Sequence, residues 1–211
     1  MKKIILSLSK GRILLETLRV LSQIDITPVE DIHKSRKLIF PTNHPNIDLA
    51  IIRATDVPTY VAYGAADMGI VGKDTLMEHT FDNNWHEVLD LQIAKCKLMT
   101  AVPIDSKPVV GTLTVATKFA SITRNFYSQK AQAVNVIKLY GALELAPLMG
   151  LAHKIVDIVD TGKTLAANNM VADELICNIS SRLIVNPVSM QVHHDLINKI
   201  LHQLQQITIN E

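Results

Sequence analysis

Two acids and a threonine-containing turn follow one another within residues 157–164. The β-branched run at 155–159 predicts a strand, and the turn precedes a predicted helix. Backbone N–H groups at such a turn and at a helix N-terminus bind phosphate without a dedicated metal. The two acids would repel a triphosphate, but a carboxylate accepts hydrogen bonds from both hydroxyls of a ribose diol. The segment therefore predicts a sugar-phosphate site, formed by Asp157, Asp160, Thr161, Gly162, Lys163 and Thr164.

Two other kinds of turn share part of this pattern. Gly162, Lys163 and Thr164 match the end of a P-loop, but the first glycine of that motif would fall at position 157. That position is Asp157, so a P-loop is not supported. An ordinary strand-to-helix turn capped by Thr161 remains open on the local sequence.

Basic side chains directly follow predicted strands in the first half of the chain. Lys10 and Arg12 come after the strand predicted at 3–8, and Arg53 comes after the one at 47–52. Open α/β sheets bind ligands at such strand ends. Lys10 and Arg12 could therefore hold pyrophosphate or triphosphate oxygens, although two solvated side chains are an equal alternative on local sequence.

The glycines of the first half do not form a dinucleotide-binding motif. Gly69 and Gly72 lack the spacing GxGxxG, so a Rossmann site is not supported. We expect instead that the backbone at these glycines approaches a ligand closely, with Arg53 and Asp74 nearby.

The composition excludes several classes of function. Lys and Arg number 21 against 20 for Asp and Glu, so a net charge of +1 gives no general attraction for nucleic acid or anionic lipid. The two cysteines lack zinc-site spacing and predict a reducing, cytoplasmic setting. The eight histidines include no HExxH pair. No apolar run is long enough to cross a bilayer, so we expect no membrane association.

Apolar runs alternate with segments of helical period, which predicts an α/β fold with parallel or mixed sheets. The predicted strands are 3–8, 37–40, 47–52, 68–71, 113–116, 134–139 and 155–159, with two consecutive strand-like runs inside 88–102. The predicted helices are 13–24, one starting at 56, 121–129, 145–151 and 189–206. The consecutive runs mark a crossing between lobes, so we expect a first lobe of 1–93 plus 185–211 and a second of 94–184.

Four segments together resemble the ATP phosphoribosyltransferase family in its short form. They are LSLSKGR at 6–12, SRKLIFPT at 35–42, and the stretches 51–74 and 137–165. The resemblance implies two intertwined lobes with mixed sheets, similar to type II periplasmic binding proteins, with a cleft between them. It also implies a pentosyltransferase that moves the 5-phosphoribosyl group from phosphoribosyl pyrophosphate to N1 of ATP, the first step of histidine biosynthesis.

The resemblance implies roles around the sugar and its leaving group. Arg36, with Lys10 and Arg12, would stabilise the departing pyrophosphate. Glu144 becomes a candidate partner of the ribose or of its magnesium, with an acid near a helix N-terminus as the alternative. Mg²⁺ is expected to arrive with the substrate phosphates rather than in a metal site of the protein's own.

The resemblance also implies a nucleotide side. Arg53, Asp67 and Asp74 become candidate ATP contacts, and which of them only braces the loop is left open. Cys96 could border the same pocket, but a buried structural thiol is the stronger interpretation.

Partners are implied as well. Short-form members form a homodimer that joins a regulatory subunit similar to histidyl-tRNA synthetase in a hetero-octamer. Two other functions remain open, namely a two-lobed solute-binding protein and a phosphoribosyltransferase that uses a different base. The missing export signal and the sugar-phosphate segment argue against the first, and the segments at 6–12, 35–42 and 56–61 argue against the second.

Overall fold

The computed structural model describes residues 3–79 and 84–209. The chain divides into two compact units, the first comprising Met1–Ala94 with Ser180–Glu211 and the second comprising Lys95–Ile179. The chain leaves the first unit after residue 94, where we expected 93, and returns after 179, where we expected 184. The return comes earlier because residues 181–185 form a strand in the sheet of the first unit.

Strands and helices alternate along most of the chain, as the sequence predicts. Within the described ranges the strands are β1 (Ile4–Ser9), β2 (Ile39–Pro41), β3 (Ile47–Ile52), β4 (Met68–Gly72), β5 (His86–Asp90), β6 (Cys96–Pro103), β7 (Leu113–Thr117), β8 (Val134–Lys138), β9 (Lys154–Val159), β10 (Met170–Ile179) and β11 (Ser181–Val185). The helices are α1 (Arg12–Gln23), α2 (Val57–Ala62), α3 (Lys73–Glu78), α4 (Ala120–Gln129), α5 (Leu145–Leu148), α6 (Lys163–Ala167), α7 (Pro187–Val192) and α8 (His194–Ile209), with a 3-10 turn at Ala54–Asp56.

The first unit has a mixed sheet in the order β2-β3-β1-β4-β11-β5. β1 pairs in parallel with β3 and β4, whereas β2, β11 and β5 run antiparallel to their neighbours. β1 and β4 are buried almost throughout, as expected for central parallel strands covered on both faces. The carboxyl ends of β3, β1 and β4 therefore lie side by side at one edge of the sheet.

Helices cover both faces of this sheet. Alternate residues of a strand point to opposite faces, so Leu6 and Leu8 of β1 join one core cluster while Ile5 packs against another. α1 and α8 contribute to the first cluster, and α2 contributes Val57 and Val61 to the second. The apolar residues at helical spacing in 13–24 and in the last segment of the chain are those that pack on this core.

The second unit has its own mixed sheet, in the order β10-β6-β9-β7-β8. β7 pairs in parallel with β8 and β9, and β6 runs antiparallel to β9 and β10. The aromatic side chains of Phe119 and Tyr127 pack on one face of the sheet, while Ala146 and Leu165 from α5 and α6 pack in a separate cluster. The carboxyl ends of β8, β7 and β9 share one edge, which positions the turn after β9.

No helix in the ranges 3–79 and 84–209 is long and apolar enough to span a membrane.

Candidate active site

The turn predicted to bind a sugar phosphate follows β9 in the second unit. The strand ends at Val159, and α6 begins at Lys163. Gly162 precedes the helix with φ of 74°, in the left-handed region that other residues enter only at a cost. No atom of the described residues lies within 4 Å of a Cβ placed there, so backbone conformation rather than lack of space requires glycine.

A cavity of about 130 Å³ is formed at this turn by Glu144 and residues 157–165. We call it the second-unit cavity. The structure thus brings together, in one place, all the residues expected to hold a ribose phosphate: Glu144, Asp157, Asp160, Thr161, Gly162, Lys163 and Thr164. Because α6 has only five residues, its dipole contributes less than a full-length helix would. The N–H groups of its first turn, which have no intrahelical acceptor, would be the main donors to a bound anion.

Of the two capping alternatives, the one for Thr161 is not formed within the part of the chain that the structure describes, whereas Glu144 does lie at a helix N-terminus. The cap position of α6 is occupied by Gly162 rather than Thr161, without a side-chain hydrogen bond. Glu144 occupies the cap position of α5, but its carboxylate makes no capping hydrogen bond. Both side chains line the second-unit cavity, and for Glu144 the position at the start of α5 stays an alternative explanation.

Asp157 is the most perturbed acid of this cavity. Burial raises the pKa of its carboxyl group, the Lys118 ammonium and the Ile158 backbone oppose this rise, and the like charge of Glu144 adds to it. Among the described residues, no group donates a hydrogen bond to the buried Oδ1 atom. A half-buried carboxylate with one oxygen left without a protein donor is suited to accept a hydrogen bond from a ligand.

Lys118 is a candidate site residue that the sequence reasoning missed. It directly follows β7, and its Nζ atom lies 3.7 Å from Oδ1 of Asp157. The signal was available, because β7 was predicted and a polar residue at the end of a parallel strand is a ligand-site candidate.

Exposed polar residues complete the turn. Asp160, Thr161, Lys163 and Thr164 are exposed to solvent. Their hydroxyl, carboxylate and ammonium groups supply both acceptors for sugar hydroxyls and donors for phosphate oxygens.

In the first unit, Lys10, Arg53 and Asp74 come together at one sheet edge. They follow β1, β3 and β4, which are parallel neighbours. The Lys10 N–H donates to the Ile52 carbonyl at 3.3 Å, which places Lys10 beside the end of β3. Gly11 has φ of 91°, a conformation that lets the chain turn from β1 into α1.

Arg12 lies at the same edge but also has a structural role. Its guanidinium donates to the Ala94 carbonyl at 2.9 Å and lies 3.7 Å from the Glu16 carboxylate. Glu16 in turn accepts from the Ala94 N–H at 2.6 Å. Arg12 therefore helps to hold residue 94, where the chain leaves the first unit.

Arg36 is exposed in the segment that leads into β2. The Ile51 N–H donates to the Leu38 carbonyl at 2.8 Å, so this segment runs beside the carboxyl end of β3. Arg36 thus approaches the edge that carries Lys10 and Arg53.

Asp67 is not brought to this edge. It precedes β4 whereas Asp74 follows it, so the two acids lie at opposite ends of a strand about 16 Å long. Asp67 is 8% exposed. It accepts hydrogen bonds from the Ile5 N–H and the Ser189 hydroxyl, both at 2.7 Å. These contacts favour a bracing role for Asp67 over an ATP contact.

The two glycines of β4 have structural explanations. A Cβ at Gly69 would collide with Val57 and Val61, so this glycine allows α2 to pack closely on the sheet. A Cβ at Gly72 would collide with the carboxylate of Asp74. The expected close approach at Gly69 is therefore made by a helix of the protein, not by a ligand. Cys96 packs half-buried against the core of the second unit.

Among the residues that the structure describes, no three His, Cys, Asp or Glu side chains gather as a metal site. Mg²⁺ is usually held by one or two carboxylates, water and substrate phosphates rather than by a protein cage. One or two of the carboxylates in the second-unit cavity, those of Glu144, Asp157 and Asp160, are enough for an ion that arrives with a phosphate ligand.

Comparison with known proteins shows the family of this chain. The family model HisG, described as ATP phosphoribosyltransferase, matches residues 53–206. The ATP phosphoribosyltransferase of Hahella chejuensis is 56% identical over 96% of this chain and 96% of its own length. That of Chromohalobacter salexigens is 55% identical over 97% of this chain and 94% of its own length.

A solved structure gives the same result. The ATP phosphoribosyl transferase (HisG:HisZ) complex from Thermotoga maritima has a chain with TM-score 0.82 and 28% identity, covering 99% of this chain and 100% of that chain. The expected α/β class with mixed sheets is confirmed. Because the family model matches most of the chain and the relatives match nearly all of it, this chain belongs to the ATP phosphoribosyltransferase family.

Proposed function

We propose that this chain transfers the 5-phosphoribosyl group from phosphoribosyl pyrophosphate to N1 of ATP and releases pyrophosphate, the first step of histidine biosynthesis. The observation that carries the proposal is the second-unit cavity, in which three carboxylates and the threonine-containing turn before α6 lie together. Relatives that match nearly the whole chain are named for this activity. A different acceptor base, which the cavity alone would allow, is therefore disfavoured.

The cavity residues hold the sugar. Thr161, Thr164 and the backbone N–H groups between them bind the 5-phosphate, while Asp157 and Asp160 accept hydrogen bonds from the ribose hydroxyls. Displacement at the anomeric carbon passes through a state with oxocarbenium character, as in glycoside hydrolysis. The carboxylates of Asp157, Asp160 and Glu144 place negative charge close to the sugar ring, which stabilises that state.

Basic residues of the first unit act on the leaving group. Lys10, Arg12 and Arg36 neutralise the charge that grows on pyrophosphate as the bond breaks. Preorganised charge of this kind commonly contributes more to catalysis than any other single effect. Adenine N1 attacks as a neutral nucleophile, so the reaction needs no strong base.

The ATP side is assigned to Arg53 and Asp74, which lie at the same sheet edge as Lys10. Asp67 is assigned a supporting role, since it is buried and hydrogen-bonded at the other end of β4.

Enzymes of this family use a divalent metal ion, and we assign Mg²⁺ carried by phosphoribosyl pyrophosphate. Bound there, the ion would supply positive charge to the phosphate oxygens, and Glu144, Asp157 and Asp160 are the acids that would hold it. A cytoplasmic setting is proposed from the sparse cysteine usage.

We further propose that the chain forms a homodimer and joins a regulatory subunit in a hetero-octamer. The support is the similar solved chain, which belongs to a complex named HisG:HisZ. Light scattering should show a dimer for the chain alone and a larger species after a HisZ homologue from the same organism is added. A chain that stays the same size in the mixture would contradict this assembly.

Activity is tested by mixing the protein with ATP, phosphoribosyl pyrophosphate and Mg²⁺. We expect pyrophosphate release that depends on both substrates and an N1-phosphoribosyl adduct of ATP by mass spectrometry. Release without ATP, or an adduct with another base only, would contradict the proposed function.

A further inference from the structure

Lys118 directly follows β7, and the sheet fixes its position. β7 pairs in parallel with β9, with Thr117 opposite Val156, so Lys118 lies beside Asp157. The buried Thr117 hydroxyl donates to the Val156 carbonyl at 2.8 Å and accepts from the Phe119 N–H at 2.9 Å. The backbone on each side of Lys118 is therefore anchored to β9.

The Lys118 side chain reaches Asp157 from this position. Its Nζ atom lies 3.7 Å from Oδ1 of Asp157 and 4.7 Å from the centre of the Phe119 ring. The first distance is that of an ion pair rather than of a hydrogen bond. The lysine side chain is 44% exposed and the aspartate 27%, so the ammonium keeps its water while the carboxylate has lost much of its own.

Asp157 is subject to both an attracting and a repelling charge. Lys118 attracts its carboxylate from 3.7 Å, whereas Glu144 is a second acid that lines the same cavity. A ribose diol needs a carboxylate whose oxygens point in a fixed direction, because it donates two hydrogen bonds at once. Loss of Lys118 therefore removes the ion pair that fixes the direction of the Asp157 carboxylate.

We propose that Lys118 is a positioning residue for phosphoribosyl pyrophosphate, whose ion pair with Asp157 holds that carboxylate in place for the ribose hydroxyls. The proposal rests on the proposed function and assigns Lys118 no contact with the reacting atoms. It predicts an effect on the sugar substrate alone.

The test compares substrate affinities of Lys118→Met with those of the unchanged chain. Methionine keeps the contact with Phe119 and removes the charge. Calorimetry should show phosphoribosyl pyrophosphate binding about tenfold weaker, the scale expected when one hydrogen bond from a ribose hydroxyl to the Asp157 carboxylate is lost. Steady-state kinetics should show a higher KM for this substrate with an unchanged KM for ATP. Lys118→Arg restores the cation and should recover most of the affinity.

Lys130→Met is a matched control in the same unit. Lys130 also pairs with an acid, Glu174, and lies 4.3 Å from the centre of the Phe126 ring. Its side chain is 40% exposed, but its partner Glu174 does not line the second-unit cavity, whereas Asp157, the partner of Lys118, does. We expect its substrate affinities to equal those of the unchanged chain.

The proposal is overturned if Lys118→Met binds phosphoribosyl pyrophosphate as tightly as the unchanged chain, or if Lys130→Met loses as much affinity. If Lys118→Met does not fold, Lys118→Gln is measured instead and judged in the same way. Failure of the proposed function would look different, because the unchanged chain itself would neither bind this substrate nor release pyrophosphate.

Discussion

Among the individual residues, Asp157 carries its charge at a place that disfavours charge. Burial raises its pKa, and Lys118 only partly offsets that rise. A carboxyl group whose pKa is raised by folding stabilises the folded chain when it is protonated. That stabilisation is complete at pH values below the pKa of the group in the unfolded chain. The stabilisation is lost as the pH rises through the higher pKa of the folded chain. At neutral pH the ionised carboxylate thus lowers the free energy of unfolding, a common feature of binding sites.

Asp157→Asn should therefore melt at a higher temperature than the unchanged chain at neutral pH, by about 2 °C for each ~1 kcal/mol gained. The difference should shrink in acid, where the native Asp157 is protonated. Calorimetry from neutral to acidic pH measures both effects, and phosphoribosyl pyrophosphate should bind more weakly to the variant.

Asp173→Asn is a control with the opposite sign. The hydrogen bond from Lys154 lowers the pKa of Asp173. Its stabilisation is present above the unfolded pKa and is lost as the pH falls through the folded pKa. The asparagine variant should melt slightly lower at neutral pH, by little because the pair is partly exposed. A lower melting temperature for both variants would contradict the explanation given for Asp157.

Arg36→Ala should lower kcat at least about tenfold, since one preorganised donor to developing charge is commonly worth more than that. Arg36 is exposed, so the melting temperature should stay the same. Arg19→Ala, which removes another exposed arginine of the first unit, is the control and should keep full activity. A near-normal kcat for Arg36→Ala would remove this residue from the mechanism.

Among the helices and strands, the sequence was most informative where apolar periodicity meets a clear turn. β3 was predicted with the bounds that the structure shows, and α1 differs by one residue at each end. β10 was not predicted, because Asp173, Glu174 and Asn178 interrupt its apolar residues and it lies at the edge of its sheet. The helix predicted at 189–206 is two helices in the structure. The break at His193 was not predicted, because the apolar stripe continues across it.

The site was predictable in the same uneven way. The cavity residues are consecutive or follow predicted elements, so local sequence was enough to find most of them. Lys118 depends on the pairing of β7 with β9, and the separation of Asp67 from Asp74 depends on the direction of β4. Strand pairing and direction are tertiary properties, which a linear pattern does not specify.

Packing of α2 on β4 gives a prediction about stability. Gly69→Ala should lower the free energy of unfolding by about 1–3 kcal/mol, because the added methyl group collides with Val57 and Val61. Gly141→Ala is the control, since no atom of the described residues lies within 4 Å of its added methyl group. Denaturant titration measures both, and equal stabilities of the two variants would contradict the packing argument.

At the scale of the whole chain, the sequence of the second unit is inserted between the two segments that form the first. The chain leaves after residue 94 and returns at 180, and β11 then completes the first unit's sheet between β4 and β5. The sequence predicted this arrangement through the break in alternation at 88–102, but it misplaced the return. The sequence of β11 does not show which unit's sheet contains the strand. Its pairing with β4 and β5 does.

The proposed function depends above all on the second-unit cavity binding the ribose phosphate. A crystal structure of the active protein with phosphoribosyl pyrophosphate and Mg²⁺ would show whether it does. We predict density for the 5-phosphate against the N–H groups of residues 161–164, with the ribose hydroxyls on Asp157 and Asp160. A phosphoribosyl group bound away from residues 157–164 would contradict the proposed site.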